Sequence, residues 1–79
     1  MDRGNWSAPV RLNFGTRGNR SVMNVFEALI CLDEMWPNRS GPQYIRAKVA
    51  CKAALEGRLT AEEAREEFVA AAVEAKVGG

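Results

Sequence analysis

The sequence predicts an α+β fold in which an N-terminal β-hairpin is followed by three α-helices, with the first helix at the centre. Apolar and polar residues alternate over 10–14, which is the period of a half-buried strand. Residues 25–36 are apolar around most of a helical circumference, which is typical of a helix covered on several faces. Two later stretches have a helical period, and each begins with a capping signature. The 79 residues are predicted to form one small domain over 1–79.

The hairpin is predicted from the alternation that follows a polar start. Residues 1–8 are expected to be an irregular lead-in, with Trp6 filling one end of the core because large aromatic side chains usually supply packing energy. Residues 15–19 are typical of a turn, and 21–23 are expected to return as a second, shorter strand. The glycines and arginines of the turn lack the spacing of a phosphate-binding loop, which favours a solvated turn. The first strand should direct three apolar side chains inward: Val10, Leu12 and Phe14.

The central helix is predicted to begin after Asn24 and to end before Pro37, since proline disfavours helical geometry in the residue ahead of it. The Asn24 side chain can accept a hydrogen bond from the Glu27 amide, and the Glu27 side chain can reach back to the Asn24 amide. Phe26 and Ile30 are expected to widen the buried stripe of this helix. At about 100° per residue, that stripe consists of Val25, Ala28, Leu29, Leu32, Met35 and Trp36.

The second helix is predicted to begin with a capping box formed by Ser40 and Gln43, with Pro42 in its first turn. Gly57 is expected to end this helix in a left-handed conformation. Its inner stripe is rich in small residues, which allow a neighbouring helix to approach closely. The stripe consists of Tyr44, Ala47, Cys51, Ala54 and Leu55, with Ala50 beside it.

The third helix is predicted from a capping box formed by Thr60 and Glu63. Its inner face should carry one large residue, Phe68, among small ones: Ala61, Ala64, Ala71, Ala72 and Ala75. Three valines lie off this face, and they are candidates for self-association: Val69, Val73 and Val77. The alternative is that these valines cover the hairpin within one chain. Residues 78–79 are expected to be a loose tail.

Charge is distributed unevenly along the chain, although the formal net charge is only +1. Residues 1–52 contain eight lysines and arginines against four acidic residues, whereas 53–79 contain three against six. Such a division is typical either of an anionic ligand at one end or of two oppositely charged surfaces that meet.

The sequence contains no signal for a membrane or for secretion. Its longest apolar run, 68–73, is far shorter than the roughly 20 residues that cross a bilayer. No basic segment followed by an apolar one begins the chain, so no signal peptide is predicted. Two cysteines are fewer than a small secreted domain usually carries, which favours a reduced, cytoplasmic protein with no membrane contact.

Residues suited to catalysis or metal binding are scarce. The sequence has no histidine, the commonest general base and metal ligand. Cys31 and Cys51 are too few for a structural zinc site, and both are expected to be buried free thiols of low reactivity. Adjacent carboxylates diverge on a helix and do not converge on one substrate atom. We therefore predict that the protein is not an enzyme and has no catalytic, metal-binding or cofactor-binding residues.

The order of certain residues resembles that of a family of short bacterial proteins, mostly from root-associated alphaproteobacteria, known only as a domain of unknown function. The resemblance extends over nearly the whole chain and brings no established activity or binding residue with it. It begins with Trp6 and Pro9-Val10, Glu27-Ala28, Leu32, Trp36-Pro37 and Gly41. It continues with Ala47, Cys51, Ala54-Leu55, Gly57, Ala64-Arg65, Phe68, Ala71-Ala72 and Glu74-Ala75.

Two functions remain open from the sequence. The first is a small protein-interaction or assembly module, most simply a homodimer, with other protein partners possible. Two chains would pair through the hairpin edge, because a lone two-stranded hairpin is marginal in water, or through the third helix. The third helix is the preferred surface, because its valines are harder to explain otherwise. The alternative is a nucleic-acid-binding accessory protein, although a sequence pI of 7.8 is below the usual value for that class. Its candidate contacts are Arg11, Arg17, Arg20, Lys48 and Lys52.

Overall fold

A computed structural model describes residues 5–78 and confirms the hairpin followed by three helices. Helix α1 contacts strand β2 and both other helices, as predicted. Helices α2 and α3 pack extensively on each other. The elements are β1 Asn5–Asn13, a short 3-10 turn Gly15–Arg17, β2 Asn19–Asn24, α1 Val25–Glu34, α2 Pro42–Leu55 and α3 Ala61–Glu74.

Strand β1 begins earlier than the alternation indicated. The expected irregular lead-in is wrong for residues 5–8, which belong to β1, while 1–4 lie outside the described residues. The two strands are antiparallel, with Val10 opposite Val22 and Asn5 opposite Asn24. The register shift between these pairs shows that β1 bulges between Asn5 and Val10.

The bulge of β1 is attached to helix α3. The Ser7 amide donates to Glu62 Oε2 at 2.8 Å, and Arg65 Nε donates to the Ala8 carbonyl oxygen at 3.1 Å. Pro9, which follows, has no amide hydrogen to donate to a neighbouring strand. Side chains of α3 therefore satisfy backbone groups that the bulge removes from strand pairing.

The C-terminal segment pairs with the other end of β1. The Asn13 amide donates to the Val77 carbonyl oxygen at 2.7 Å, and Leu12 forms an antiparallel bridge with Gly78. A positive φ of 60° at Lys76 turns the chain toward the hairpin after α3 has ended. The expectation of a loose tail is therefore wrong for Gly78, and residue 79 lies outside the described residues.

Aromatic side chains form the centre of the core. The Phe68 ring lies between Trp6 and Trp36, with ring centroids 5.5 and 5.4 Å away. Phe14 meets the other side of Trp36 edge-on at 5.9 Å. Trp6 is buried at one end of this group, as predicted. The group joins β1, α3 and the segment that follows α1, so it holds three parts of the fold together.

Capping explains where α1 and α3 begin. Asn24 Oδ1 accepts from the Glu27 amide at 2.8 Å, as predicted. The predicted hydrogen bond from the Asn24 amide to the Glu27 side chain is replaced by one from the preceding residue: Glu27 Oε1 accepts from the Met23 amide. The capping box of Thr60 and Glu63 is present with both of its hydrogen bonds, as predicted.

Helix α2 begins differently from the prediction. Gly41 occupies the N-cap with a φ of 106°, which favours glycine, and no side chain caps the helix. The predicted Ser40–Gln43 box is wrong: the Ser40 hydroxyl donates to Asn38 Oδ1, and the Gln43 side-chain amide donates to Glu67 Oε1 on α3. Gly57 has the predicted left-handed conformation, with a φ of 82°.

The inner stripe of α2 also departs from the prediction at its C-terminal end. Leu55 is exposed, and the small side chain of Ala53 is buried instead. The Arg58 and Leu59 amides both donate to the Ala53 carbonyl oxygen, so the chain that follows α2 folds back over this residue. The rest of the stripe is buried as expected.

Candidate protein-interaction surface

The three valines proposed for self-association do not form one exposed surface. Val69 is half-buried and packs against the core. Val77 lies beyond the end of α3 and is only 5% exposed, so the expectation of an apolar flank on α3 is wrong at this position. Only Val73, at 69% exposure, projects into solvent. The alternative, in which valines cover the hairpin within one chain, therefore applies to Val77.

The hairpin does not gather its candidate nucleic-acid contacts on one face. Leu12 is opposite Arg20 and Ser21 is opposite Arg11, so Arg20 is on the inner face of the hairpin and Arg11 is on the outer face. Arg17 lies in the 3-10 turn and donates from a guanidinium nitrogen to the Met35 carbonyl oxygen at 3.1 Å. That bond ties the turn to the end of α1.

The two lysine candidates lie on α2. Lys48 Nζ lies 2.7 Å from Asp33 Oδ1, and this hydrogen bond lowers the pKa of the Asp33 carboxyl. Lys48 therefore has a partner within the chain that joins α2 to α1. Lys52 is exposed on the same helix. The five candidate residues thus lie on four elements, although Arg11 and Arg20 line one cavity of about 440 Å³ on the hairpin. Arg17 and Lys48 already make contacts within the fold.

A different apolar surface is present on α1. Phe26 and Ile30 are 62% and 39% exposed, so the expectation that they widen the buried stripe is wrong. They lie one turn apart and are therefore neighbours on the helix surface. At 100° per residue they are about 160° and 200° from Ala28, opposite the buried face. The helical period therefore places Phe26 and Ile30 away from the buried face, and no other element among residues 5–78 packs over them as the prediction required.

Strand β2 has an open edge beside this part of α1. The Asn13 amide points away from β2, toward Val77, and backbone groups alternate in direction along an antiparallel strand. Asn19, opposite Asn13, and Ser21 therefore direct their amide and carbonyl groups away from β1. Met23 has the same direction, and its amide donates to Glu27 Oε1 at 2.9 Å. The Glu27 carboxylate thus occupies the Met23 amide, which is one of the donors on this edge. Among residues 5–78, no third strand pairs with this edge of β2.

A groove of about 130 Å³ lies between this edge and α1. Arg20, Ser21 and Val22 line it on the strand side, and Glu27, Ile30 and Glu34 line it on the helix side. With Met35, which also lines it, the groove combines one basic, two acidic and three apolar side chains. Within residues 5–78, the salt bridges join Lys48 to Asp33 and Arg58 to Glu56. The charged residues of the groove, Arg20, Glu27 and Glu34, take part in neither of these salt bridges.

The thiol of Cys31 lies in the same groove and is buried. Burial raises its pKa, the positive charge of Arg20 opposes that shift, and the charges of Glu27 and Glu34 add to it. Burial alone raises the pKa of Cys51 to about 12. Both cysteines are free and buried, as predicted. Neutral thiols are poor nucleophiles, so neither environment activates a cysteine for covalent chemistry.

The described part of the chain contains no group of three or more histidine, cysteine, aspartate or glutamate side chains placed to bind a metal ion. Among its helices, none is both long enough and apolar enough to cross a membrane. Its surface has an open edge on β2 with an adjoining groove, and exposed apolar side chains on both α1 and α2.

Over residues 5–78, these features define a small α+β domain whose sheet is open along β2. The chain belongs to the family described as "Protein of unknown function (DUF982)", whose model matches residues 8–78. This membership confirms the expected resemblance to a domain of unknown function. No curated protein matches the chain.

A solved structure of the same fold is the NMR structure of Agrobacterium tumefaciens protein Atu1219, a structural genomics target. The two chains are 31% identical and superpose with a TM-score of 0.81. The similarity covers 98% of this chain and 77% of the Agrobacterium protein.

Proposed function

We propose that the protein is a small, non-enzymatic interaction module that acts by self-association, and that the surface used is the open edge of β2 with the adjoining face of α1. One observation carries the proposal: the exposed side chain of Ile30 lines the groove beside an unpaired strand edge, and Phe26 is exposed one turn earlier on the same helix. Edges of this kind pair readily with another chain, and exposed apolar side chains gain free energy when a partner covers them.

A second copy of the chain is the partner that this surface fits. Its groove contains both Arg20 and the acidic residues Glu27 and Glu34, so it is complementary to itself when two copies meet around a two-fold axis. The two buried, free thiols suit a reducing compartment, which supports a cytoplasmic location.

The test is the mass of the protein in solution, measured by light scattering over a range of micromolar concentrations. We expect a mass near twice the 8.7 kDa of one chain, falling on dilution. Phe26→Asp should give the mass of one chain, because a charge at this position opposes burial in an interface. Ile45→Asp and Val73→Asp are matched controls, since both replace an exposed apolar residue on another helix, and both should remain dimeric.

Each alternative outcome is decisive. A wild-type mass of one chain at all concentrations would overturn self-association. A dimer that survives Phe26→Asp and dissociates with Val73→Asp would move the interface to α3, and dissociation by Ile45→Asp alone would move it to α2. Circular dichroism of each variant should match the wild type, since none of the three side chains is buried.

A further inference from the structure

From the geometry of the β2 edge we infer how the two copies join: their β2 strands pair antiparallel around a two-fold axis at Ser21, and Arg20 of each copy enters the acidic groove of the other beside Glu34. The inference rests on the self-association proposed above and specifies its register and its charged contacts.

The backbone groups of the edge favour this register. With Ser21 opposite Ser21 of the second copy, each Ser21 amide donates to the other Ser21 carbonyl. Each Asn19 amide then donates to the Met23 carbonyl of the other copy. That carbonyl stays available when Glu27 holds the Met23 amide, so the bond within each chain is retained.

Neighbouring registers are less favourable. A two-fold axis at Arg20 would place the two Arg20 side chains directly opposite each other, and like charges in such a pair destabilise a sheet. An axis at Val22 would place Ser21 of each copy opposite Met23 of the other. Both of these hydrogen-bonded pairs would then need a Met23 amide that Glu27 already occupies. The axis at Ser21 keeps the two Arg20 side chains apart, and its central Ser21 pair forms both hydrogen bonds without Met23.

The side chains support the same arrangement. Arg20 and Val22 both point to the inner face of the hairpin, as their partners Leu12 and Val10 do. Around an axis at Ser21, Arg20 of one copy lies opposite Val22 of the other. Val22 lines the groove that also contains Glu34, so the incoming guanidinium meets carboxylate groups there.

Exchange of charge between the two sites tests this contact. Arg20→Glu and Glu34→Arg should each weaken self-association at least about tenfold, because each places like charges together in both symmetric contacts. An equimolar mixture of the two variants should recover the dimer, since both contacts then join opposite charges. Both residues are exposed, so the folded monomers should keep the wild-type circular dichroism spectrum. If Arg20 and Glu34 acted only within one chain, mixing would restore nothing, and this result would overturn the inference.

Amide hydrogen exchange tests the register independently. In the wild-type dimer, the Asn19 and Ser21 amides should exchange at least about tenfold more slowly than in the monomeric Phe26→Asp variant. The Arg20 amide is a control, because its pairing with Leu12 within the chain protects it in both states. Equal exchange of Asn19 and Ser21 in dimer and monomer would overturn the strand pairing while leaving self-association in place. A wild type that never dimerises would instead overturn the proposed function.

Discussion

Replacement of Phe68 by alanine should remove a large part of the stability of this domain. The Phe68 side chain is 0% exposed, and its ring packs between Trp6 and Trp36 at centroid distances of 5.5 and 5.4 Å. Truncation leaves both tryptophans facing a cavity that the surrounding backbone can fill only in part. Because β1, α3 and the segment after α1 all meet at this ring, the loss affects the whole fold.

The expected magnitude follows from the size of the chain. A buried Phe→Ala replacement costs about 3–5 kcal/mol. A domain of 79 residues has a free energy of unfolding of roughly 4–12 kcal/mol, at about 0.05–0.15 kcal/mol per residue. Phe68→Ala should therefore unfold a substantial fraction of the protein at room temperature if the wild type lies at the lower end of that range. Phe68→Leu keeps most of the volume and should cost about 1–2 kcal/mol, including the lost aromatic contacts.

Urea denaturation followed by circular dichroism measures both free energies of unfolding. Val73→Ala is the matched control on the same helix, because its side chain is 69% exposed and its loss should change stability by less than about 0.5 kcal/mol. A cost below about 1.5 kcal/mol for Phe68→Ala would refute the placement of this ring at the centre of the core.

Two further predictions concern a helix cap and a buried thiol. Thr60→Ala should destabilise the protein by about 1 kcal/mol through loss of the hydrogen bond from the Glu63 amide. Ser40→Ala should have little effect, because Ser40 does not cap α2. Equal losses of unfolding free energy for the two variants in urea denaturation would contradict this difference. Cys51 has a folded-state pKa of about 12, above the ordinary value of 9.0, so its contribution to stability is present below pH 9 and is lost as the pH rises toward 12. Cys51→Ala should therefore lose less stability than the wild type between pH 9 and pH 11, and an identical loss in both proteins would contradict the prediction.

Local sequence signals predicted much of this fold. Helix α1 begins at Val25 and α3 at Ala61 because Asn24 and Thr60 provide side-chain caps, and these caps depend on residues only three positions apart. The alternation of apolar residues likewise identified the hairpin. The start of α2 was harder to predict, because Ser40 and Gly41 are both acceptable N-caps and the choice depends on what Gln43 contacts.

Long-range contacts explain what the sequence did not predict. Pairing of Gly78 with Leu12 has no local signal, because the two residues are far apart in the chain and meet only after α3 has packed. The exposure of Phe26 and Ile30 depends on how many elements surround α1, and a chain of this length covers only some of its faces. The candidate interaction surface thus combines a face that the helical period identified with an edge that only the tertiary structure shows to be open.

The two edges of the hairpin differ, and this difference limits how many chains can associate. Side chains of α3 bind the bulge of β1 at Ser7 and Ala8, and the C-terminal segment pairs with β1 at Leu12 and Asn13. The edge of β1 is therefore covered at both ends, while no strand among residues 5–78 pairs with the outer edge of β2. Pairing of β2 with β2 uses the same surface on both copies, so it closes on itself and leaves no open edge for a third chain. A hairpin with two open edges would instead add chains without limit, as exposed strands do in aggregates. The contacts that cover β1 thus make a finite dimer the natural outcome of the proposed association.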